Sequence, residues 1–120
     1  MVDEDDIRAI AMSLPGTSEE PGTAHFRTGG KGFVWPYLER VHPKQPRVEH
    51  RDVFAIRVAA EEVKRALVAT EPDKFFTTDH YNGYPAVLVR LTAIELDELN
   101  ELLREAHACA QPKKRSPQGR

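Results

Sequence analysis

The densest group of chemically versatile side chains lies between residues 77 and 84, where the sequence reads TTDHYNGY. Asp79, His80, Tyr81 and Tyr84 place a carboxylate, an imidazole and two phenols within six positions. A carboxylate or carbonyl that fixes the tautomer of a histidine leaves its other ring nitrogen to bind a ligand or accept a proton. The same side chains could instead anchor a long loop through hydrogen bonds to its backbone. Both a ligand site and a purely structural loop stay open for this segment.

Trp35 is the only tryptophan, and Pro36 and Tyr37 follow it directly. Aromatic side chains with a few polar groups are the usual lining of small-molecule sites. One hypothesis is therefore a groove for a small molecule or a protein partner, bordered by Trp35, His80, Tyr81 and Tyr84. The alternative is that the tryptophan covers the core or an edge of the sheet.

A second hypothesis concerns nucleic acids, because cations are concentrated in the proline-punctuated loop 42–52 and near a preceding turn. The residues expected to contact phosphates are Lys31, Lys44, Arg47 and Arg51. The charge balance opposes this hypothesis, because residues 1–112 contain thirteen cationic and nineteen acidic side chains, a formal charge of −6. Sequence-independent DNA binding depends on cations that displace counterions from phosphates. The alternative is a loop whose cations only keep it soluble.

Catalytic motifs are absent from the sequence. Cys109 is the only thiol and lies near the end of a predicted helix, where the helix dipole raises rather than lowers a thiol pKa. The five histidines are not spaced like a metal cluster, and there is no phosphate-binding loop of the Walker type. The sequence predicts a protein without enzymatic activity, without a cofactor and without a bound metal. A third and weaker hypothesis is an enzyme that uses His80 as a general base.

The length of 120 residues predicts one domain, residues 1–111, followed by a disordered basic tail at 112–120. No apolar run approaches the roughly 20 residues needed to cross a bilayer. The acidic start of the chain lacks an apolar segment, so a cytoplasmic location is expected. The expected partners are DNA or a small molecule rather than a membrane, and the expected state is a monomer or a weak dimer.

The first half of the chain has the pattern of a helix followed by a hairpin. Apolar residues at helical spacing predict a helix from Asp3 to Leu14, whose buried stripe consists of Ile7, Ile10, Ala11 and Leu14. A polar connector at 17–22 precedes two predicted strands, 24–28 and 32–41, which flank a turn at Gly29-Gly30. Because proline cannot donate to a ladder, the second strand should be an edge strand or carry a bulge at Pro36.

The second half predicts two more helices and two further strands. A strand at 53–58 alternates apolar residues with Arg57, so we expect helices on one face of the sheet only. A helix from Glu61 to Thr70 should bury Val63, Ala66, Leu67 and Thr70. Residues 86–91 form a strand rich in β-branched residues. The last helix should begin with a capping box between Thr92 and Glu95 and carry an apolar stripe of Leu96, Leu99, Leu102, Leu103 and Ala106.

Several segments together resemble the MmcQ/YjbR family from Ile7 to about Ala110. They are Leu14-Pro15-Gly16-Thr17 with Glu19, Lys31-Gly32-Phe33, Phe75-Phe76-Thr77-Thr78, His80-Tyr81-Asn82-Gly83-Tyr84-Pro85 and Val87-Leu88-Val89-Arg90-Leu91. Two positions depart from the family pattern: Asp79 stands where proline is usual and His107 where tryptophan is common.

The resemblance implies an α+β fold, a two-layer sandwich with an antiparallel sheet and the order α-β-β-β-α-β-β-α, like CyaY and type III secretion chaperones. It also implies that Phe75 to Thr78 is a strand. The family is commonly described as DNA-binding through a double-wing arrangement of hairpins, and it offers no catalytic residues. Its name-giving member is similar to an accessory protein of a mitomycin-type antibiotic cluster, which leaves drug binding as a second implied function.

Overall fold

The computed structural model describes residues 2–39, 48–78, 81 and 83–111; for residues 38, 39 and 48–51 it describes the backbone alone. These residues form three helices and six strands. Their bounds, in chain order, are α1 (Glu4–Ser13), β1 (Ser18–Glu20), β2 (His25–Thr28), β3 (Lys31–Glu39), β4 (Val48–Arg57), α2 (Glu61–Thr70), β5 (Phe75–Phe76), β6 (Ala86–Arg90) and α3 (Leu96–Ala110).

The strands form one antiparallel sheet in the order β1-β2-β3-β4-β6-β5. The predicted α+β class and two-layer arrangement are confirmed. One strand is added, because residues 18–20 of the predicted connector pair with residues 25–27 of β2. Three polar residues carry no strand pattern of their own, so this strand exists through its pairing with β2.

Proline in β3 marks a bulge and not an edge. The strand lies between β2 and β4, and its register against β4 shifts between Pro36 and Tyr37. Proline has no backbone N–H to donate to a neighbouring strand, and at a bulge the regular hydrogen bonding of the strands is interrupted in any case. The strand β4 begins at Val48, so the last five residues of the predicted loop 42–52 are extended. The rest of that loop lies outside the described residues.

The apolar core lies on one face of the sheet. Strand residues such as Phe54, Ile56, Val87 and Val89 alternate toward this face and are completely buried. The buried stripes of α1 and α3 belong to the same core, with Ile7 and Ala11 on α1 and Leu99, Leu103, Ala106 and Ala110 on α3. The side chains Leu67 and Val68 of α2 pack against its margin. The expectation of helices on one face is therefore confirmed.

Both α1 and α3 begin with a capping box, at Asp3 and at Glu95. Asp3, which was expected to be the first residue of the helix, instead caps α1 in a capping box with Asp6. The capping box of α3 joins Glu95 to Glu98, one turn later than the predicted pair of Thr92 and Glu95. Residues 91–93 form a turn that leaves Thr92 exposed, and α3 therefore begins after this turn. Leu96, which was expected in the buried stripe, is 50% exposed.

The bounds of α2 are as predicted, and Leu67 of its predicted stripe packs against the core, but the other three predicted residues do not. Val63 is 40% exposed, and Ala66 and Thr70 are also exposed, whereas Lys64 retains only 1% of its accessible surface. Hydrophobic spacing missed the burial of this lysine because its polar partners belong to a loop that lies far away along the chain. Among the described residues, no helix is both long enough and apolar enough to cross a bilayer.

Candidate functional site

The face of the sheet opposite α1 and α3 is here called the open face. Its centre is a row of directly paired residues across four strands: Trp35 on β3, Ala55 on β4, Leu88 on β6 and Phe76 on β5. Ala55 and Leu88 are completely buried although no described helix packs on this side through its apolar stripe. Other side chains of the open face and its loops must therefore cover them.

Five aromatic residues provide that cover: Trp35, Tyr37, Phe76, Tyr81 and Tyr84, here called the aromatic cluster. The indole Nε1 of Trp35 donates to the hydroxyl of Tyr81 at 3.1 Å. Tyr84 stands edge-on to both of these rings, with centroid distances of 6.3 Å to Trp35 and 6.1 Å to Tyr81. The ring of Tyr37 contacts two others, with centroid distances of 6.3 Å to Phe76 and 6.2 Å to Tyr81. The rings thus form one connected network.

Every residue of this cluster is partly accessible. Tyr84 is 43% exposed, and the other four aromatic residues are half-buried. Edge-to-face packing fixes the rings relative to one another and leaves ring surface for a further planar group. The cluster can therefore stack against an unsaturated ring and offer phenolic hydroxyls for hydrogen bonds.

Three arginines flank the cluster on the same side of the sheet. Arg27 forms an ion pair with Glu20 at 2.9 Å, and Arg57 donates from Nε to the carbonyl of Gly32 at 2.8 Å. The guanidinium of Arg90 lies 4.2 Å from the centroid of Phe76, a cation–π geometry. These contacts use only some of the five N–H donors of each guanidinium, so each arginine can also bind a ligand. The open face therefore combines aromatic rings with fixed positive charge.

Acidic residues are concentrated in the helical segments instead. Residues 3–14, 61–74 and 95–110 contain thirteen carboxylates and five cations. The formal charge of −6 before residue 113 is therefore located in the helical layer. It weighs less against anion binding at the open face than an even distribution would.

His25 borders the cluster on β2. Its ring lies 5.7 Å from that of Trp35, and a Cβ atom placed on Gly32 would come within 2.9 Å of its Nε2. The absence of a side chain at Gly32 therefore makes room for this imidazole. Burial lowers the pKa of His25, and the positive charge of Arg27 lowers it further. Burial and the nearby cation therefore favour the neutral form of this ring.

The loop between β5 and β6 brings two of the five rings to the cluster, and a lysine beneath it holds its backbone. The Nζ of Lys64 donates to the carbonyl of Tyr81 and, at 2.7 Å, to that of Tyr84. It also pairs with Glu61 at 3.2 Å. The Tyr84-Pro85 bond is trans. Between α2 and this loop lies a cleft of about 550 Å³, lined by Glu61, Lys64, Arg65, Val68, Ala69, Thr77 and Gly83.

The predicted ligand-site residues meet in part. Trp35, Tyr81 and Tyr84 are in contact, as the groove hypothesis required, whereas His80 lies outside the described residues. Sequence reasoning missed Tyr37, Phe76 and His25. Strand alternation alone does not reveal them, because register shifts in the pairing of β3 with β2 and β4 decide which side chains share the open face.

The predicted nucleic-acid residues are described less fully. Lys31 is exposed at the first position of β3, next to the Gly29-Gly30 turn. Arg51 belongs to β4, but its side chain is outside the described set, as are Lys44, Arg47 and the tail 112–120. Their contribution stays a prediction.

The expectations about thiol and metal chemistry concern other parts of the chain. Cys109 is half-buried. Burial raises the pKa of its thiol, and the negative charge of Glu105 raises it further. In the described part of the chain, no three or more His, Cys, Asp and Glu side chains are grouped so as to hold a metal ion.

Some known proteins are similar to this chain in sequence, and another is similar in fold. Uncharacterised proteins of Mycobacterium bovis and Mycobacterium tuberculosis are 39% identical over 115 residues, which cover 91% of this chain and 88% of theirs. A crystal structure of a Deinococcus radiodurans protein with a DUF419 domain superposes with a TM-score of 0.64 at 21% identity, covering 88% of this chain and 76% of that one. The YjbR family model matches residues 12–109. With this match, the chain belongs to the YjbR family.

Proposed function

We propose that the protein is a non-enzymatic binding domain whose open face takes a small ligand with planar, unsaturated rings. The observation that supports this proposal best is the aromatic cluster, in which Trp35, Tyr81 and Tyr84 stand together over the sheet. Such rings gain by stacking on a planar group, and a few fixed polar groups orient it. The flanking arginines favour a ligand that carries a carboxylate, sulfonate or similar anion.

Rigidity of the site is a second argument for binding. The rings are tied to each other, and the backbone of the loop is tied to α2 by Lys64. A site that is already ordered loses less conformational entropy when its ligand binds. No group in this cluster is arranged as a nucleophile with a base, so binding is proposed rather than catalysis.

The test uses Trp35 as an intrinsic probe. Anthraquinone-2-sulfonate is titrated while the tryptophan emission is followed, and saturable quenching is expected. Tyr84→Ala removes the most exposed ring and should weaken binding about tenfold, equivalent to about 1.4 kcal/mol. The control is Met12→Ala, which truncates a similarly exposed side chain on α1. This variant should bind the probe like the wild type. Unsaturable quenching, or equal affinity in Tyr84→Ala, would contradict the proposal.

A second candidate is DNA binding through the hairpins, as the resemblance implied. The observation that favours it is the separation of charge, with carboxylates concentrated in the helices and Lys31 exposed at a strand turn. The residues proposed to contact phosphates are Lys31, Lys44, Arg47 and Arg51.

Fluorescence anisotropy with labelled single-stranded and duplex DNA tests this candidate. With about four phosphate contacts, affinity should fall roughly 100-fold between 50 and 200 mM salt. Charge reversal at the four positions should abolish binding, whereas Arg65→Glu and Arg104→Glu on the helices should leave it intact. Absence of binding at 50 mM salt would exclude the candidate.

A further inference from the structure

Lys64 is the most buried charged residue in the described part of the chain, with 1% of its surface accessible. A buried ammonium loses several kcal/mol of hydration unless partners replace the water. Two of its three N–H donors bind the carbonyls of Tyr81 and Tyr84, and the carboxylate of Glu61 lies 3.2 Å from Nζ as an ion-pair partner. The charge is thus compensated, and its placement needs an explanation.

The two carbonyls do not depend on the lysine for a hydrogen bond. The carbonyl of Tyr81 already accepts from the amide of Tyr84 at 3.0 Å, and that of Tyr84 accepts from the amide of Ala86 at 2.7 Å. Each carbonyl oxygen can accept two bonds, so the ammonium is an additional partner. What Lys64 adds is a fixed distance between α2 and the backbone of the two tyrosines whose rings meet Trp35.

We propose that Lys64 is a positioning residue for the open-face site. Its ammonium holds the Tyr81 and Tyr84 carbonyls against α2, and this fixes both rings in the aromatic cluster. The meaning for ligand binding rests on the proposed function, whereas the effect on the rings does not. The neighbouring Arg65 makes no comparable contribution among the described residues, because its side chain is 77% exposed and its ion pair with Glu61 is 3.8 Å long.

Positioning and stability can be separated at this residue. Removing one ion of a buried pair is costly when the other is left uncompensated, but Glu61, the ion left behind here, is 29% exposed and also lies 3.8 Å from Arg65. Lys64→Met should therefore keep the helical circular dichroism and melt within about 5 °C of the wild type. The two carbonyls keep their backbone donors, but the loop loses its attachment to α2.

The experiment compares wild type, Lys64→Met, Lys64→Arg and Arg65→Met by acrylamide quenching of Trp35, without any ligand. In Lys64→Met the quenching constant should rise about twofold, because release of a loop raises solvent access beneath it. Lys64→Arg keeps a donor at the same place and should restore much of the protection. Arg65→Met should match the wild type.

The same four proteins are then titrated with anthraquinone-2-sulfonate. If the wild type binds the probe, Lys64→Met should bind it about tenfold more weakly, as expected when a preorganised site is loosened. If Trp35 becomes accessible but even the wild type does not bind, the proposed function fails and the positioning role stands. A folded Lys64→Met with unchanged Trp35 quenching overturns the positioning role. Should Lys64→Met not fold, Lys64→Gln replaces it, and the same two outcomes apply.

Discussion

The two faces of the sheet are built from alternate residues of the same strands but are filled in different ways. Phe54 points into the helix-covered core and is completely buried, while its neighbour Ala55 lies beneath the aromatic cluster on the open face. Apolar contacts fill the first face. Rings joined by directional contacts and flanked by arginines cover the second. The comparison indicates that one face provides the stability and the other is available for recognition.

Truncation of an aromatic residue on each face gives the sharpest test of this division. Phe54→Ala should destabilise the protein by about 3–5 kcal/mol, because it leaves a cavity in a closed core. Trp35→Ala should have a smaller effect, because the half-buried ring borders solvent that can fill the space. Urea denaturation measures both changes in the free energy of unfolding. Equal losses would mean that the open face is a second core.

The adjacent residues Glu19 and Glu20 of β1 allow the same comparison for ion pairs. Glu19 receives two bonds of 2.9 Å from Arg8 of α1 and is 15% exposed, whereas Glu20 pairs with Arg27 at an exposed position. Glu19→Ala should cost about 2 kcal/mol, because the amide of Ala24 loses its acceptor and Arg8 loses two bonds, although Arg8 keeps its contacts with Glu4 and Asp5. Glu20→Ala should cost less than about 1 kcal/mol. Similar losses in thermal melts would contradict the assignment of the two faces.

A single hydrogen bond tests the order within the aromatic cluster. Tyr81→Phe removes the acceptor of the Trp35 indole and should lower stability by about 1 kcal/mol. The emission of Trp35 should change at the same time, because its N–H then meets water. Tyr84→Phe serves as the matched control, since it removes a phenol oxygen from the neighbouring ring. Identical emission in Tyr81→Phe and wild type would show that the bond is not formed.

The smallest expected effect is a change of stability with pH at an ion pair on the helical side of the sheet. Both carboxylate oxygens of Glu98 accept from Lys74 at 2.7 Å, and this hydrogen bonding lowers the pKa of Glu98 below its usual value of about 4.5. The ionised form is therefore favoured by folding, so its stabilisation is complete above pH 4.5 and disappears as the pH falls through the lowered pKa.

The difference in melting temperature between wild type and Glu98→Gln should accordingly be full at pH 7 and shrink below pH 4.5. Glu101→Gln, on the exposed side of α3, should show little difference at either pH. A difference that grew in acid would have the wrong sign for this pair.

Apolar periodicity was sufficient to predict most of the fold. The helix α1, the bounds of α2 and the strands β2, β3 and β6 follow from local patterns that burial in one core enforces. The prediction failed where a partner distant in the chain decides the structure. Ser18–Glu20 is a strand only because β2 lies beside it. The burial of Lys64 on α2 was missed because this lysine binds carbonyls 17 and 20 residues away.

The candidate site was predictable only as a set of residue types. Trp35, Tyr81 and Tyr84 were expected to border one groove, and their rings meet. The positions of Tyr37 and Phe76 could not be derived, because the register shift at Pro36 and the pairing of Phe76 with Leu88 set them. A bulge changes which side chains share a face, and sequence alternation alone does not place it.

The lengths of the outer strands have a consequence for self-association. The sheet ends in β1, with three residues, on one side and in β5, with two residues, on the other. Backbone amides along an outer strand can recruit a strand of another molecule, and short outer strands, especially charged ones, discourage this. β1 also contains two glutamates. Both terminal strands of the sheet are therefore poor templates for pairing with a strand of another molecule.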